Sequence, residues 1–219
     1  MPPQTTYPGI VTRNLSVLSR HIEGVRSLAP GQLGSISDAV KTLQGVIGLA
    51  WLVFWIYWLA SAVSAKASIG GRRRIPMTGL TLISVFVVIR VFQGGGSAVH
   101  SPIIGAIGAV LFVSGLALAI WARVHLGRNW GMPMTERAEP ELITSGPYRY
   151  VRHPIYSGLL LALVGTALAT NFLGLAIAVV LGAYFYYAAT VEERNLVAAF
   201  PTAYPAYREH TKKLIPFLL

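Results

Sequence analysis

The sequence predicts an all-α integral membrane protein with about five transmembrane helices, the last two paired as a helical hairpin. A cytosolic loop and the C-terminal tail are expected to cover a small-molecule site. Three observations point there. Of 219 residues, 54 % are hydrophobic and only 12 % charged, where a soluble domain carries about a quarter charged residues; mean hydropathy is +0.58. The apolar residues collect in uncharged runs long enough to cross a bilayer, for which about 20 residues suffice. Lysine and arginine gather between those runs, as membrane topology requires.

Residues 1–42 stand apart as an N-terminal amphipathic or flexible segment, and 43–219 form the transmembrane domain. In the first part, Leu15, Leu18, Ile22 and Val25 recur at helical spacing between Arg13, Arg20 and Arg26, the pattern of a short helix on a bilayer surface, closed by Pro30, Gly31 and Gly34. The first apolar run comes too late for a cleavable signal. Residues 43–65 carry no charge and form the first span. Trp51, Trp55 and Trp58 share one face of it and read as packing or interface residues. After Lys66 and Arg72-Arg73-Arg74, residues 76–92 form a second span, with Arg90 near its end, and 102–122 a third. The polar segment from Arg123 to Pro154 is too long for a plain connection and is expected to be functional or ordered. Residues 155–191 are uncharged over 37 positions. As one helix they would measure about 55 Å, nearly twice the hydrocarbon thickness. Two helices are therefore expected, at 155–169 and 172–191, turning at Ala169-Thr170-Asn171-Phe172, the first of them short for a full crossing.

Four basic residues lie in 66–75, five in 123–154 and four in 192–219, against none in the links 93–100 and 170–171. This alternation puts the long loop and the C-terminal tail on the cytoplasmic side and the N-terminus outside, although 1–42 also carries four basic residues. The formal charge of +10 and the pI of about 10.2 then follow from topology, and the expected partner is the lipid bilayer, not nucleic acid. The absence of cysteine excludes disulfides, thiolate nucleophiles and cysteine-ligated metals. His100, His125 and His210 are scattered, and no metal site is expected.

The hairpin brings its two outer ends to one surface. One is Arg152-His153-Pro154 and the other Glu192-Glu193-Arg194. Proline suits the first position of a helix, which makes His153 the N-cap and leaves the free amides of the first turn facing the cluster. A helix N-terminus beside an arginine attracts a carboxylate or phosphate. The glutamates accept hydrogen bonds from a ribose diol or an amine, or face a cation. Tyr148, Tyr150 and Tyr156 offer flat faces to a ring or a positive centre. A ligand with an anionic end, a cationic centre and a sugar fits this set, and S-adenosylmethionine has all three. The plainer reading makes the same residues interface anchors and a solvated helix end.

Three stretches, "LGRNWG" (126–131), "ELITSGPYRYVRHPIYSG" (141–158) and "EERNLVAAFPTAYPAYREHTKKLIPFL" (192–218), resemble the isoprenylcysteine carboxyl methyltransferase family over about the C-terminal half of the chain. Related membrane methyltransferases acting on phospholipid amines or small thiols share much of the pattern, so it indicates the cofactor better than the acceptor. Pro201 departs from the glycine usual after the phenylalanine. The resemblance implies a multi-span enzyme binding S-adenosylmethionine at the cytosolic surface, under the long loop and tail, with a lipophilic or prenylcysteine-like substrate entering from the membrane. It implies that Arg152, His153, Tyr156, Glu192 and Glu193 hold the cofactor, with Tyr148, Pro154, Gly158 and the Gly146-Pro147 turn shaping its pocket. Asn129 would face the acceptor head group, and Arg152, Asn129 and Glu193 form the catalytic set. A carboxylate acceptor is already ionised at neutral pH, so the enzyme must align the reactants and exclude water. A thiol or amine acceptor needs a base, for which His125, His153 or a glutamate is available. A non-enzymatic scaffold or transporter is the third reading; against transport, no expected span contains an acidic residue.

Overall fold

The structure is a computed structural model that describes residues 30–62, 68–69, 99, 101–130, 136–137 and 140–216. The surface helix expected around Leu15–Val25 and the second span at 76–92 lie outside these residues. The chain divides into two units, Met1–Lys41 and Thr42–Leu219. In the first, Asp38 and Lys41 form an exposed ion pair at 3.9 Å. The second holds the core and the site.

Five helices are described: α1 (Pro30–Ala62), α2 (Pro102–Leu126), α3 (Pro154–Ala169), α4 (Leu173–Ala199) and α5 (Ala203–His210). Asp38–Ser61, Pro102–Asn129 and Leu173–Ala199 are long and apolar enough to cross a membrane, whereas α3 is shorter. The all-helical membrane fold is thus as expected, with three of the five expected spans of full length among the described residues. Large apolar side chains face outward, among them Leu49, Ile103, Val110 and Val179, which is the surface lipid demands. A two-residue ladder joins β1 (Ser68–Ile69) to β2 (Glu136–Arg137).

Two boundaries differ from expectation. The first helix was expected from residue 43 but starts at Pro30 and runs through Gly31 and Gly34, which were expected to close the preceding surface helix. Proline costs little in a first turn, and a helical glycine costs only about 1 kcal/mol. At the other end of the chain α4 does not stop near 191 but continues to Ala199, so Glu192 and Glu193 lie within a membrane-length helix. Glutamate and arginine are good helix formers; the helix ends at Phe200, just before Pro201. The last membrane-length helix thus carries two acidic residues where none was expected, and the absence of acidic residues no longer speaks against transport.

Among the described residues, the links meet in two groups. The basic segments meet one another: β1 pairs with β2, and Val151 bridges Lys212. The uncharged links meet at the opposite ends of the helices, where the Val99 amide donates to the Thr170 carbonyl at 3.1 Å. At the hairpin turn, Asn171 Oδ1 accepts from the Leu173 amide at 2.9 Å and so serves the start of α4.

The tightest packing joins α2 to α3, which run antiparallel. A Cβ on Gly115 would lie 2.3 Å from the Ala162 nitrogen and 2.6 Å from the Gly158 carbonyl. One on Gly165 would lie 2.3 Å from the Phe112 nitrogen and 2.6 Å from the Gly108 carbonyl. Gly108 and Gly115 on α2 thus meet Gly165 and Gly158 on α3, backbone against backbone, with Ala119, Ala162 and Ala169 filling the seam. Small residues make this approach possible where lipid supplies no hydrophobic drive between helices. Against the pair packs α1, through the face that carries Trp51, Phe54 and Trp58, all buried. Trp51 Nε1 donates to Thr166 Oγ1 at 3.0 Å and the ring meets Phe112 at 5.7 Å. The tryptophan face is therefore a packing face.

A methyl group at the seam has no space. Gly115→Ala should destabilise the protein by about 3 kcal/mol or more, above the usual cost of an inserted methylene. Gly105→Ala, where the nearest atom to a new Cβ is Leu43 Cδ2 at 3.8 Å, should be nearly neutral. Thermal midpoints of both variants in one detergent decide this; equal midpoints would remove the glycine seam as a stability determinant.

Candidate functional site

The seam carries the end of α2 to the start of α3, and the site is built on that junction. The turn Gly146–Arg149 is fastened to α2 twice. Tyr148 Oη donates to the Ala122 carbonyl at 3.4 Å. Gly146, at φ 60, packs against the His125 ring, which a Cβ would meet at 2.7 Å. His125 Nε2 also lies 2.9 Å from Ser145 Oγ. The chain then enters α3 with His153 as N-cap and Pro154 in the first turn, as expected.

Behind this cap lies α4. Tyr156 stacks between the His153 ring (5.6 Å) and Phe185 (4.7 Å). Its hydroxyl donates to Glu192 Oε1 at 2.5 Å. Arg152 Nε donates to Glu193 Oε1 at 2.8 Å. The His153 ring sits between the two carboxylates, Nδ1 3.5 Å from Glu192 and Nε2 3.5 Å from Glu193. These contacts are long, and Nε2 is buried without a hydrogen-bond partner. Burial lowers the imidazole pKa, but the pairing with Glu192 and Glu193 outweighs it, and the net effect is a rise.

The tail closes the cluster as a strap, residues 211–216. Arg152 and His153 donate their backbone amides to the carbonyls of Lys212 (2.8 Å) and Lys213 (3.1 Å). Arg152 Nη1 donates to the carbonyls of Arg208 and Thr211. Ser157 Oγ donates to the Leu214 carbonyl at 2.5 Å. Tyr207, on α5, donates to the Tyr148 carbonyl at 2.5 Å, and burial pushes its phenol up to about 12. Tyr204 is buried beside it, its hydroxyl without a partner.

The structure therefore gathers Arg152, His153, Tyr156, Glu192 and Glu193 around one point, with Pro154 beneath and Tyr148 joined through Tyr207. Two of the expected site residues lie elsewhere. Gly158 faces α2, where its Cβ position is 2.6 Å from the Ala119 nitrogen, so its small size is explained by packing. Asn129 belongs to a second polar cluster at the end of α2, where its Nδ2 donates to Glu141 Oε2 at 2.7 Å. There Arg123, buried, donates to the carbonyls of Ser61 (2.6 Å) and Gly127 (2.8 Å) and lies over the Trp130 ring at 4.6 Å. Sequence reasoning had not singled out Arg123, Ser157 or Lys213. Arg123 gave no signal because it stood at the assumed end of a span; Ser157 and Lys213 act through a strap that only the fold brings near.

Comparison with known proteins bears on this geometry. The profile of the phospholipid methyltransferase family matches residues 103–203. A protein-S-isoprenylcysteine O-methyltransferase of Schizosaccharomyces pombe is 34 % identical over 101 residues, covering 44 % of this chain and 43 % of its own. The cobalt-zinc-cadmium resistance protein CzcN of Cupriavidus metallidurans is 33 % identical over 96 residues, 42 % of this chain and 44 % of its own. The chain thus spans less than half the length of either relative. Among solved structures, the eukaryotic intramembrane Ras methyltransferase ICMT (isoprenylcysteine carboxyl methyltransferase) superposes with a TM-score of 0.55 at 21 % identity, over 76 % of this chain and 63 % of that one. The fold is shared, and the resemblance to the isoprenylcysteine carboxyl methyltransferase family is borne out.

The raised His153 pKa has a consequence for stability. A group whose folded pKa exceeds its unfolded value contributes stability that is complete below the unfolded pKa and fades as pH rises through the folded one. His153 therefore stabilises the fold most at acid pH. The thermal-midpoint advantage of the wild type over His153→Gln should shrink from about pH 6 to about pH 9. An advantage that grows over that range contradicts the pairing.

Proposed function

We propose that this chain transfers a methyl group from S-adenosylmethionine to a lipophilic acceptor held in the bilayer, at the cytosolic face. The preferred acceptor is the carboxylate of an isoprenylcysteine-like substrate. The observation that carries the proposal is the buried cluster of Arg152, His153, Tyr156, Glu192 and Glu193 at the end of a membrane hairpin. The resemblance to named methyltransferases supports it.

The residues fit the cofactor. Two adjacent carboxylates offer acceptors to a diol or an ammonium, and the buried Nε2 of His153 and hydroxyl of Tyr204 have hydrogen-bonding capacity that the protein leaves unmet. Stacked Tyr156 and Phe185 supply apolar and aromatic surface. On this reading Tyr148, Arg152, His153, Pro154, Tyr156, Glu192 and Glu193 form the binding site, with Gly158 supporting it from the α2 seam. When bound, S-adenosylmethionine supplies a methyl already activated on a sulfonium.

The protein's own share is positioning and the exclusion of water. Arg152 commits Nε and Nη1 to protein acceptors, so its first task is to fix Glu193 and the strap. Asn129, held by Glu141, is assigned to the acceptor head group. A carboxylate acceptor requires no proton to be removed. A thiol or amine acceptor does, and would need a base such as His125, His153 or a glutamate. A phospholipid amine is the second reading, supported by the family profile over 103–203.

Two measurements test the proposal. Glu193→Gln and His153→Ala should each weaken S-adenosylmethionine binding about ten- to a hundred-fold, or roughly 1.5–3 kcal/mol, read by calorimetry. At Glu193 glutamine keeps the side-chain volume and one carbonyl acceptor that alanine would remove. Unchanged affinity in both variants would remove the site. For the acceptor, kcat/KM should rise with chain length across S-alkylated cysteine analogues in one detergent. Each methylene is worth at most about 0.8 kcal/mol, and Asn129→Ala should act mainly on the acceptor. A flat series with strong turnover of a short thiol or a phospholipid amine moves the assignment to that acceptor.

A further inference from the structure

Glu193 is almost fully buried, at 5 % exposure, and receives three basic side chains from two parts of the chain. Arg152 and His153 approach Oε1 from the loop before α3. Lys213 approaches the other oxygen, Oε2, at 3.7 Å, from the strap. Its ammonium also donates to Thr190 Oγ1 at 2.9 Å, one turn before Glu193 on α4, and lies over the Tyr186 ring at 4.4 Å. These three contacts fix the head of a side chain that is usually mobile. The backbone of the same residue accepts the His153 amide at 3.1 Å. Lys213 therefore touches the cluster twice, at the cap of α3 through its carbonyl and at the carboxylate through its ammonium. The bridge between Val151 and Lys212 sets the register: Lys212 turns to solvent and Lys213 turns in. A slip of one residue would exchange them.

We propose that Lys213 is a positioning residue of the site: by holding Oε2 of Glu193 it makes the C-terminal strap a working part of the ligand-binding cluster. This rests on the methyl-transfer reading above. With the ammonium removed, Glu193 is free to rotate about the Arg152 bond, and the face it presents to a ligand is no longer set.

The test uses the full chain in detergent, with Lys213→Met, Lys213→Arg and, as control, Lys212→Met. S-adenosylmethionine affinity and steady-state kinetics are measured, together with hydrogen exchange of the peptide covering 208–216. Lys213→Met should raise the Kd and KM for S-adenosylmethionine about tenfold while kcat changes less than about twofold. Lys213→Arg should recover most of the loss, and Lys212→Met should behave as wild type. Exchange in the strap should quicken in Lys213→Met alone. Lys213→Gln replaces the methionine variant where that fails to fold. An affinity within twofold of wild type overturns the proposal. So does tighter binding, which would make Lys213 a competitor for the ligand's cation. If the wild type binds no S-adenosylmethionine, the methyl-transfer reading falls, and exchange decides the strap contact alone: quickened exchange sustains it and equal rates overturn it.

Discussion

The close approach of α2 and α3 is the constraint on which the rest of this structure depends. Lipid tails are as apolar as leucine side chains, so two helices in a bilayer gain little from burying apolar surface against each other. What they gain is contact, and contact is greatest where side chains are absent. Gly108 and Gly115 facing Gly165 and Gly158 allow backbone to lie on backbone. Because the helices are antiparallel, this fixes the height of the α3 cap relative to the end of α2. The Tyr148 bond to Ala122 and the packing of Gly146 on His125 follow from that height. A shift of one turn along the seam would unmake both, and with them the orientation of Arg152 and His153.

The polar cluster is a second problem in the same setting. Two carboxylates near a membrane lip are expensive unless paired. The chain draws the pairing from two distant places: the loop and cap at Arg152-His153, and the tail at Lys213. Such networks add little net stability, because desolvation consumes much of the Coulombic gain. Here the network also has a geometric effect. Arg152 holds Glu193 with Nε and the carbonyls of Arg208 and Thr211 with Nη1. The tail cannot lie elsewhere without stranding a buried guanidinium. Electrostatics thus specifies where an otherwise short terminal segment must pack.

Much of this was legible in the sequence. An uncharged run too long for one helix, broken once by Thr170-Asn171, had to fold as a hairpin, and Asn171 indeed serves the start of α4. Proline after His153 announced the cap. The end of α4 was not legible, because Glu192 and Glu193 looked like the solvated end of a span, whereas their neutralising partners come from up to 41 positions of chain away and only tertiary structure supplies them. The glycine seam was visible as composition but not as pairing, since glycines inside an apolar run do not say which helix they face. Gly158 shows the cost of that silence. Its place in a motif suggested a ligand, and its neighbours in space are the backbone of Gly115 and Ala119.

Helix length explains why a dense polar cluster borders one of the most apolar stretches. The hairpin partners start from the same turn, yet α3 has 16 residues and α4 has 27. At 1.5 Å per residue, α3 is about 24 Å long, less than the roughly 30 Å of a hydrocarbon core, and α4 about 40 Å. The two cannot both match the bilayer. The cap of α3 therefore falls short of the end of α4: His153 meets Glu192 and Glu193, and α4 runs on past that level to Ala199. Left empty of polar groups, such a step would expose the free amides of the α3 N-terminus to lipid. Glu192, Glu193, Arg152 and the strap instead surround the cap with polar groups. On the proposed reading, the short helix would let a water-soluble cofactor and the head of a lipid-anchored acceptor meet at that cap.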